Sequence, residues 1–348
     1  MKIGVTLMGT LVGLVLFIAA PFLMPSDYAL HLTNLAGIYM ILVLGLNIVM
    51  GYAGQVNLGH AAFWGVGAYA SSLLVMGWGV PFLVGMFCGA IAAAIVAWVV
   101  GYPTLKLKGH YLAMASLAFG QVVYFVLLNW EPVTNGSQGL RDIPPPRLGP
   151  LVFASDEMFF YLAWGMLIIL TGITVLIRDS KFGRAFLAVR EGNIAAEAMG
   201  VNVANMKVLA FVISAVYGGI AGSLYAHWST YISPDNFSLE ASIQLLVMLV
   251  VGGLGTLGGP LLGAFILTFL PEWLRFLKSY YMVVYGVLLI IFILRMPYGL
   301  VGLFERAGAW LRGRLGRAFA APAAPRQAAA SGSTTNPPVS VGARDKSP

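Results

Sequence analysis

The sequence predicts an all-α polytopic membrane protein with about ten transmembrane helices. Of its 348 residues, 59% are hydrophobic and only 9% are charged, whereas charged residues make up about 25% of soluble domains. The mean hydropathy is +0.86. The apolar residues form runs of about 20, the length at which a helix crosses about 30 Å of hydrocarbon, and they do not show the alternation of a membrane β-barrel. The composition therefore excludes a soluble domain and favours helices that cross a bilayer.

Ten apolar runs are candidate membrane spans. The first resembles a signal peptide, but Ala19-Ala20-Pro21 is a poor cleavage site, so we interpret this run as a membrane helix. Lys and Arg concentrate near the chain ends and in residues 178–207, which places both termini in the cytoplasm by the positive-inside rule. The predicted spans are residues 3–24, 29–50, 58–76, 81–101, 110–130, 158–177, 206–226, 240–253, 259–274 and 280–297.

Cysteine content and net charge exclude several classes of protein. The single cysteine, Cys88, cannot form a disulfide within the chain, and nothing in the sequence suggests a metal site. The net charge of +7 comes from loops beside the spans and from the C-terminal segment. The positive-inside rule accounts for this charge, so it does not indicate nucleic-acid binding.

Two stretches are too polar to cross lipid. Residues 131–157 contain TNGSQG and IPPPRLGP, whose turn residues and prolines predict an extracytoplasmic loop without a long helix. Residues 318–348 are rich in Ala, Pro and Ser and have almost no large apolar side chain, which predicts a disordered cytoplasmic tail. The rest of the chain, residues 1–317, is predicted to form one transmembrane domain.

One long charged segment, residues 178–207, interrupts the apolar sequence. Placed on a helix, its apolar residues share one side and its charged residues spread over the other half, which predicts an amphipathic cytoplasmic arm. Gly192 favours a helix C-terminus and Asn193 a helix N-cap, so we expect two short helices that separate at this point. Such an arm usually contacts another protein; the alternative is an ordinary solvated loop helix.

Two glycine-rich breaks, at residues 47–72 and 250–265, interrupt the predicted spans. Irregular backbone at membrane depth is tolerated only inside protein or beside a cavity, so the first break is either part of a substrate pathway or a tight helix corner. The pathway candidates are Asn47, Gln55, Asn57, His60, Gln121 and Gln244, although structural hydrogen bonding is the alternative for each of them. The predicted structural glycines are Gly51, Gly54, Gly59, Gly252, Gly253, Gly255, Gly258 and Gly259.

The distribution of charge also bears on the source of energy for any transport. All thirteen acidic residues fall in loops or at the ends of predicted spans, whereas ion-coupled carriers usually keep an ionisable group near the bilayer centre. The chain also lacks the G-x-x-x-x-G-K-[ST] phosphate loop. We therefore expect no enzymatic activity and no bound cofactor, and any ATP-driven motor would be a separate subunit.

Three long segments resemble the LivM-type permeases of bacterial branched-chain amino acid ABC importers. They are GLNIVMGYAGQVNLGHAAFWGVGAYAS, REGNIAAEAMGVNVANMKVLAFVISAVYGGIAGSLYA and VGGLGTLGGPLLGAF, and the likeness covers about residues 30–300. The resemblance implies an inner-membrane pore formed with a LivH-type sister permease, two cytoplasmic ATPases that bind the ATP, and a periplasmic amino acid-binding protein. On this topology residues 131–157 form a periplasmic loop.

The resemblance also assigns a role to the charged arm. It implies that the arm corresponds to the EAA loop of ABC importers, although this chain reads Glu-Ala-Met-Gly where the general pattern has Glu-Ala-Ala and a later glycine. The predicted ATPase-coupling residues are Arg184, Arg190, Glu191, Ile194, Glu197, Ala198 and Gly200. The alternatives are a permease for urea or short amides, which belongs to closely similar importers, and an ion-coupled carrier or channel that acts alone.

Overall fold

The computed structural model describes Pro21, residues 26–104 and 110–280, and several isolated positions between 283 and 302. These residues contain eleven α-helices and one short β-hairpin. The predicted first span at 3–24 apart from Pro21, most of the predicted span at 280–297 and the predicted tail at 318–348 lie outside the described residues.

Within the described residues, six helical segments are long and apolar enough to cross a membrane. This confirms a multi-pass helical membrane protein. The first of them continues from an α-helix into a π-helical turn, Ile48–Tyr52. The six helices are α1 (Asp27–Asn47), α2 (His60–Trp78), α3 (Phe82–Thr104), α4 (His110–Asn129), α6 (Asp156–Asp179) and α9 (Val203–Ser229).

The predicted spans at 240–253 and 259–274 form two shorter helices. Helix α10 is Leu239–Gly252 and helix α11 is Gly258–Trp273, with 14 and 16 residues. At 1.5 Å per residue their lengths are about 21 and 24 Å, less than the thickness of about 30 Å that a spanning helix needs. Neither helix crosses the bilayer core alone, so the prediction of about ten transmembrane helices is not confirmed for this part of the chain.

The remaining elements lie between the long helices. The predicted loop at 131–157 contains the one-turn helix α5 (Glu131–Thr134), a 3₁₀ turn and an antiparallel hairpin of β1 (Arg147–Leu148) and β2 (Leu151–Val152). The charged arm contains α7 (Lys181–Glu191) and α8 (Asn193–Ala198). Another 3₁₀ turn, Pro234–Phe237, precedes α10.

Helix α9 lies at the centre of the bundle, where it packs against α1, α2 and α3. Glycines permit this close approach: a Cβ atom on Gly219 would lie 2.7 Å from Cα of Ala90, and one on Gly222 would lie 2.7 Å from the backbone nitrogen of Ala68. Small residues commonly bring membrane helices together in this way. The resulting packing fixes the depth of each helix relative to its neighbours.

Candidate functional site

The charged arm folds as two helices that separate at the predicted position. Helix α7 begins after Ser180, whose hydroxyl accepts hydrogen bonds from Phe182 and Gly183 N–H, and it ends just before Gly192. Asn193 is the first residue of α8 and does not act as its N-cap. With its amide correctly oriented, Asn193 donates to the Val189 carbonyl at 3.2 Å and accepts from Lys207 Nζ at 3.3 Å.

The inner side of the arm packs against the membrane domain. Phe186 is fully buried in the main core, and Val189, Ala196 and Val203 form a small apolar cluster of their own. After α8, Gly200 adopts φ +82° and the Val201 N–H returns to the Ala196 carbonyl at 3.0 Å. This helix ending requires a left-handed residue, which glycine adopts without a steric penalty. The inner side of the arm is therefore attached to the membrane domain by buried apolar contacts.

The outer side of the arm carries exposed apolar side chains. Ile194 is 84% exposed and so is the neighbouring Met199. Ile194 on α8 and Met199 directly after its last residue are two large apolar side chains that form a small surface suited to a protein partner. All seven predicted coupling residues are exposed: Arg184, Arg190, Glu191, Ile194, Glu197, Ala198 and Gly200.

Arg190 also connects the arm to both glycine-rich breaks. Its Nη1 donates a hydrogen bond to the Gly51 carbonyl in the π-helical turn. A Cβ atom on Gly54 would lie 2.9 Å from Arg190 Cγ, and one on Gly255 would collide with Nη1. Gly54 and Gly255 have φ values of +67° and +77°. Glycine at these two positions thus provides both the left-handed backbone and the space for the arginine.

Asn47 joins the two breaks to each other. Its Nδ2 donates to the Thr256 carbonyl at 2.8 Å, and its Oδ1 accepts from the Gly255 N–H at 2.9 Å. The side chain is fully buried. Two segments that are about 200 residues apart in the sequence therefore form one polar junction, with Arg190 beside it.

The other predicted structural glycines lie at contacts between backbones. A Cβ atom on Gly51 would meet Asn47 Oδ1, and one on Gly59 would meet the Ser116 carbonyl. A Cβ atom on Gly252 would meet the Gly259 carbonyl, and one on Gly259 would meet the Gly253 carbonyl. Gly253 has a φ of +125°. Gly258 is the first residue of α11. The second break is thus a tight connection between α10 and α11.

Gln55 and Asn57 are buried in the irregular segment that follows α1. Gln55 Nε2 donates to the Lys207 carbonyl at 3.4 Å, and Asn57 Oδ1 accepts from the Gly59 N–H at 3.0 Å. Gln55 Oε1 and Asn57 Nδ2 have no partner among the described residues. Gln55 borders a cavity of about 280 Å³ between this segment and the arm, lined also by Ala53, Gly54, Val56, Leu112, Val189, Arg190, Gly192, Asn193 and Lys207.

His60 has two hydrogen-bond partners. Nε2 lies 3.1 Å from the Leu42 carbonyl, and Nδ1 lies 3.4 Å from the Ser214 hydroxyl. Because a carbonyl only accepts, Nε2 carries the hydrogen and neutral Nδ1 accepts from Ser214. Both ring nitrogens of His60 are therefore hydrogen-bonded within the protein.

The hydrogen bond between His60 and the Leu42 carbonyl shows the depth at which α2 begins. Leu42 is the sixteenth of the 26 residues from Asp27 to Tyr52 that form a potential span. Gly59 packs against the backbone of Ser116 and Gly120, in the middle of α4. Residues 53–59 are therefore irregular backbone that reaches membrane depth within the protein, as such backbone must.

Helix α10 also begins near mid-depth. The Ala61 N–H, at the start of α2, donates to Ser242 Oγ at 3.0 Å. Glu240 lies two residues before Ser242 and is exposed. Glu240 thus lies at a helix end, as predicted, but this helix end packs against the start of α2. Gln244 is also exposed and Gln121 is half-buried, so neither joins the buried polar residues of the first break.

A bundle of membrane helices with buried polar breaks and an exposed arm defines a multi-pass membrane protein. Residues 28–293 match the family described as the branched-chain amino acid transport system permease component. The chain belongs to this family, which confirms the resemblance seen in its sequence.

Curated relatives agree with the family match. The chain is 33% identical over 311 residues to the high-affinity branched-chain amino acid transport system permease protein LivM of Escherichia coli K12, covering 83% of this chain and 73% of the relative. It is 32% identical to LivM of Salmonella typhimurium over the same shares. It is 29% identical to LivH of Salmonella typhimurium, covering 77% of this chain and 92% of the relative. No solved structure matches the chain at a significant level.

Proposed function

We propose that this chain is the permease subunit of an ATP-driven importer of branched-chain amino acids in a bacterial inner membrane. A LivH-type sister permease would complete the pathway, two cytoplasmic ATPases would drive it, and a periplasmic binding protein would deliver the substrate. ATP would be hydrolysed by the ATPases and not by this chain. The observation that carries the proposal is the fixed arm whose outer side exposes Ile194 and Met199.

The arm has the properties of a mechanical link. A moving ATPase can displace a membrane domain only through a stiff element, because a flexible loop would absorb the motion. Helix α7 is anchored by buried Phe186 and by the Arg190–Gly51 hydrogen bond. Motion of the arm would therefore reach both glycine-rich breaks directly, at the place where the helices are interrupted.

The relatives support the substrate class. The LivM and LivH proteins are named for branched-chain amino acid transport, which favours this class over urea or short amides. Buried polar groups of the first break are neutral, as far as the described residues extend: Asn47, Gln55, Asn57 and His60. A zwitterion would meet amide groups there, with Arg190 and Lys207 at the adjoining cavity.

Co-purification tests the role of the arm. We expect Ile194→Asp combined with Met199→Asp to remove most of the ATPase from the purified complex, because both side chains would form the apolar part of the contact. Trp78→Asp is the matched control, since Trp78 is 80% exposed at the end of α2 away from the arm. An ATPase yield that is the same for the arm variant and the control would exclude this docking surface.

Transport by the reconstituted complex tests the function as a whole. ATP-dependent accumulation of leucine, with little accumulation of urea, is the expected result. Leucine uptake by this chain alone along a sodium or proton gradient would contradict the proposal. So would purification of a lone homo-oligomer from cells that express all the subunits.

A further inference from the structure

One face of the protein carries polar and acidic side chains at membrane depth. It is formed by α4, the 3₁₀ turn Pro234–Phe237 and α10, which contact one another. Asp235, Glu240 and Gln244 are exposed on it, and Asp235 accepts a hydrogen bond from the Tyr124 hydroxyl at 3.0 Å. We call this surface the acidic face.

Glu240 lies near the centre of the membrane. Ser242 is at the level of the α2 N-terminus, which in turn is at the level of Leu42 in the middle of the first span. Two residues along a helix correspond to about 3 Å. The carboxylate of Glu240 is thus attached close to mid-depth, far from either membrane surface.

The other exposed faces at this depth are apolar. Helix α3 exposes Ile91 and Ile95, by 57% and 56%. Helix α6 exposes Ile168, Ile169 and Ile173, by 58%, 57% and 40%. These surfaces suit contact with hydrocarbon. The acidic face also exposes apolar side chains, among them Val122, Phe125 and Ile243, by 59%, 51% and 47%, but it differs in carrying exposed carboxylates.

Neither a local partner nor the helix end accounts for an acid at this position. Among the described residues, no Lys, Arg or His lies within ion-pair distance of Glu240. An acid in the first turn of a helix is favoured by the helix dipole, but this effect is small compared with the cost of placing a charge in hydrocarbon. An exposed ionisable residue at mid-depth therefore requires water or another polar surface.

We infer that the acidic face borders a water-filled substrate pathway, in which Glu240 attracts the ammonium group of a passing amino acid. The inference rests on the proposed function, because the sister permease would form the opposite wall and exclude lipid. The carboxylates complement the positive end of a zwitterionic substrate. The neutral amides and apolar surfaces nearby leave the aliphatic side chain without a charged neighbour.

Thiol accessibility tests whether Glu240 faces water. In the assembled complex, with Cys88→Ala to remove the native thiol, Glu240→Cys and Ile91→Cys are treated with a membrane-impermeant trimethylammonium methanethiosulfonate. Ile91 is a matched control, because it is exposed at similar depth on an apolar face. We expect modification at position 240 to be at least about tenfold faster, since a water-filled cleft admits the charged reagent and lipid does not.

Equal modification rates at the two positions would overturn the inference, since position 240 would then face lipid or be sealed by another subunit. This readout needs no transport. If position 240 reacts rapidly but the complex does not accumulate leucine, the proposed function fails while the aqueous pathway stands.

Uptake measurements test the charge itself. At low leucine concentration we expect Glu240→Gln to reduce initial uptake by about tenfold, the lower limit of the effect of a charged cleft on capture of an oppositely charged solute. Glu240→Asp should retain most of the uptake. Normal uptake by Glu240→Gln, at an equal amount of complex in the membrane, would exclude attraction by the carboxylate.

Discussion

Replacement of Arg190 by alanine should loosen the arm without unfolding the membrane domain. The substitution removes the hydrogen bond from the guanidinium to the Gly51 carbonyl. Hydrogen bonds of charged groups contribute about 1.5–3 kcal/mol, and the partial exposure of Arg190 favours the lower end of this range. A loss of about 1.5 kcal/mol corresponds to roughly a tenfold larger population of the open arm.

Hydrogen exchange with mass spectrometry measures this opening. We expect amides in residues 181–198 to exchange about tenfold faster in Arg190→Ala, because local opening governs their protection. Amides in the central part of α9 should keep their wild-type rates. Arg190→Lys should give an intermediate result, since a lysine retains the charge but not the geometry of the guanidinium.

Arg184→Ala is the matched control. Arg184 lies on the same helix, but within the part of the chain that the structure describes its Nη1 donates only to the nearby Asp179 carbonyl, at 3.1 Å in an exposed position. We expect less than about a threefold change in exchange, in line with the small contribution of exposed interactions. Equal exchange in the two alanine variants would refute the role of Arg190 as the link between the arm and the breaks.

Further variants test the packing of the membrane domain. Gly222→Ala should destabilise the protein by at least about 1 kcal/mol, because its Cβ would collide with the α2 backbone. Gly172→Ala, where nothing lies within 4 Å of the added Cβ, should stabilise it by about 0.5–1 kcal/mol. Thermal unfolding in detergent measures both changes, and a shift of the two variants in the same direction would contradict one of the two predictions. Asn47→Leu should cost at least about 2 kcal/mol, because it leaves the Gly255 N–H and the Thr256 carbonyl without partners. Asn129→Leu, which loses only a bond to the Phe125 carbonyl at an exposed helix end, should change the midpoint of the same transition little, and a similar loss in both asparagine variants would count against the junction.

Most of the helices and the break within the arm could be predicted from the sequence. Apolar runs of about 20 residues allow few structures other than spanning helices, because lipid offers no partner to the backbone. The division of the arm at Gly192 followed from local helix-ending preferences. The sequence also shows that the apolar runs of α10 and α11 are short. Whether a 14-residue helix crosses the membrane depends on the depth at which it begins and ends, and the sequence does not give this depth.

The contacts among these elements could not be predicted in the same way. Arg190 was a candidate for the coupling surface, and nothing in its neighbours along the chain indicated a bond to Gly51. Asn47 and Gly255 were assigned to separate breaks, although one side chain joins them. Such pairings depend on how helices pack across the bundle, which sequence spacing does not specify.

The sequence by itself determined that this protein is a helical membrane protein with a charged arm, because composition and the length of apolar runs limit what can cross a bilayer. Its resemblance to a permease family came from three long segments and not from composition. Only the tertiary structure decided the depth of each polar residue. Glu240 stands at a helix end in the sequence, where an acid is unremarkable. The packing of that helix end against α2 places the carboxylate near mid-membrane, where the cost of desolvating a charge makes it a candidate for function.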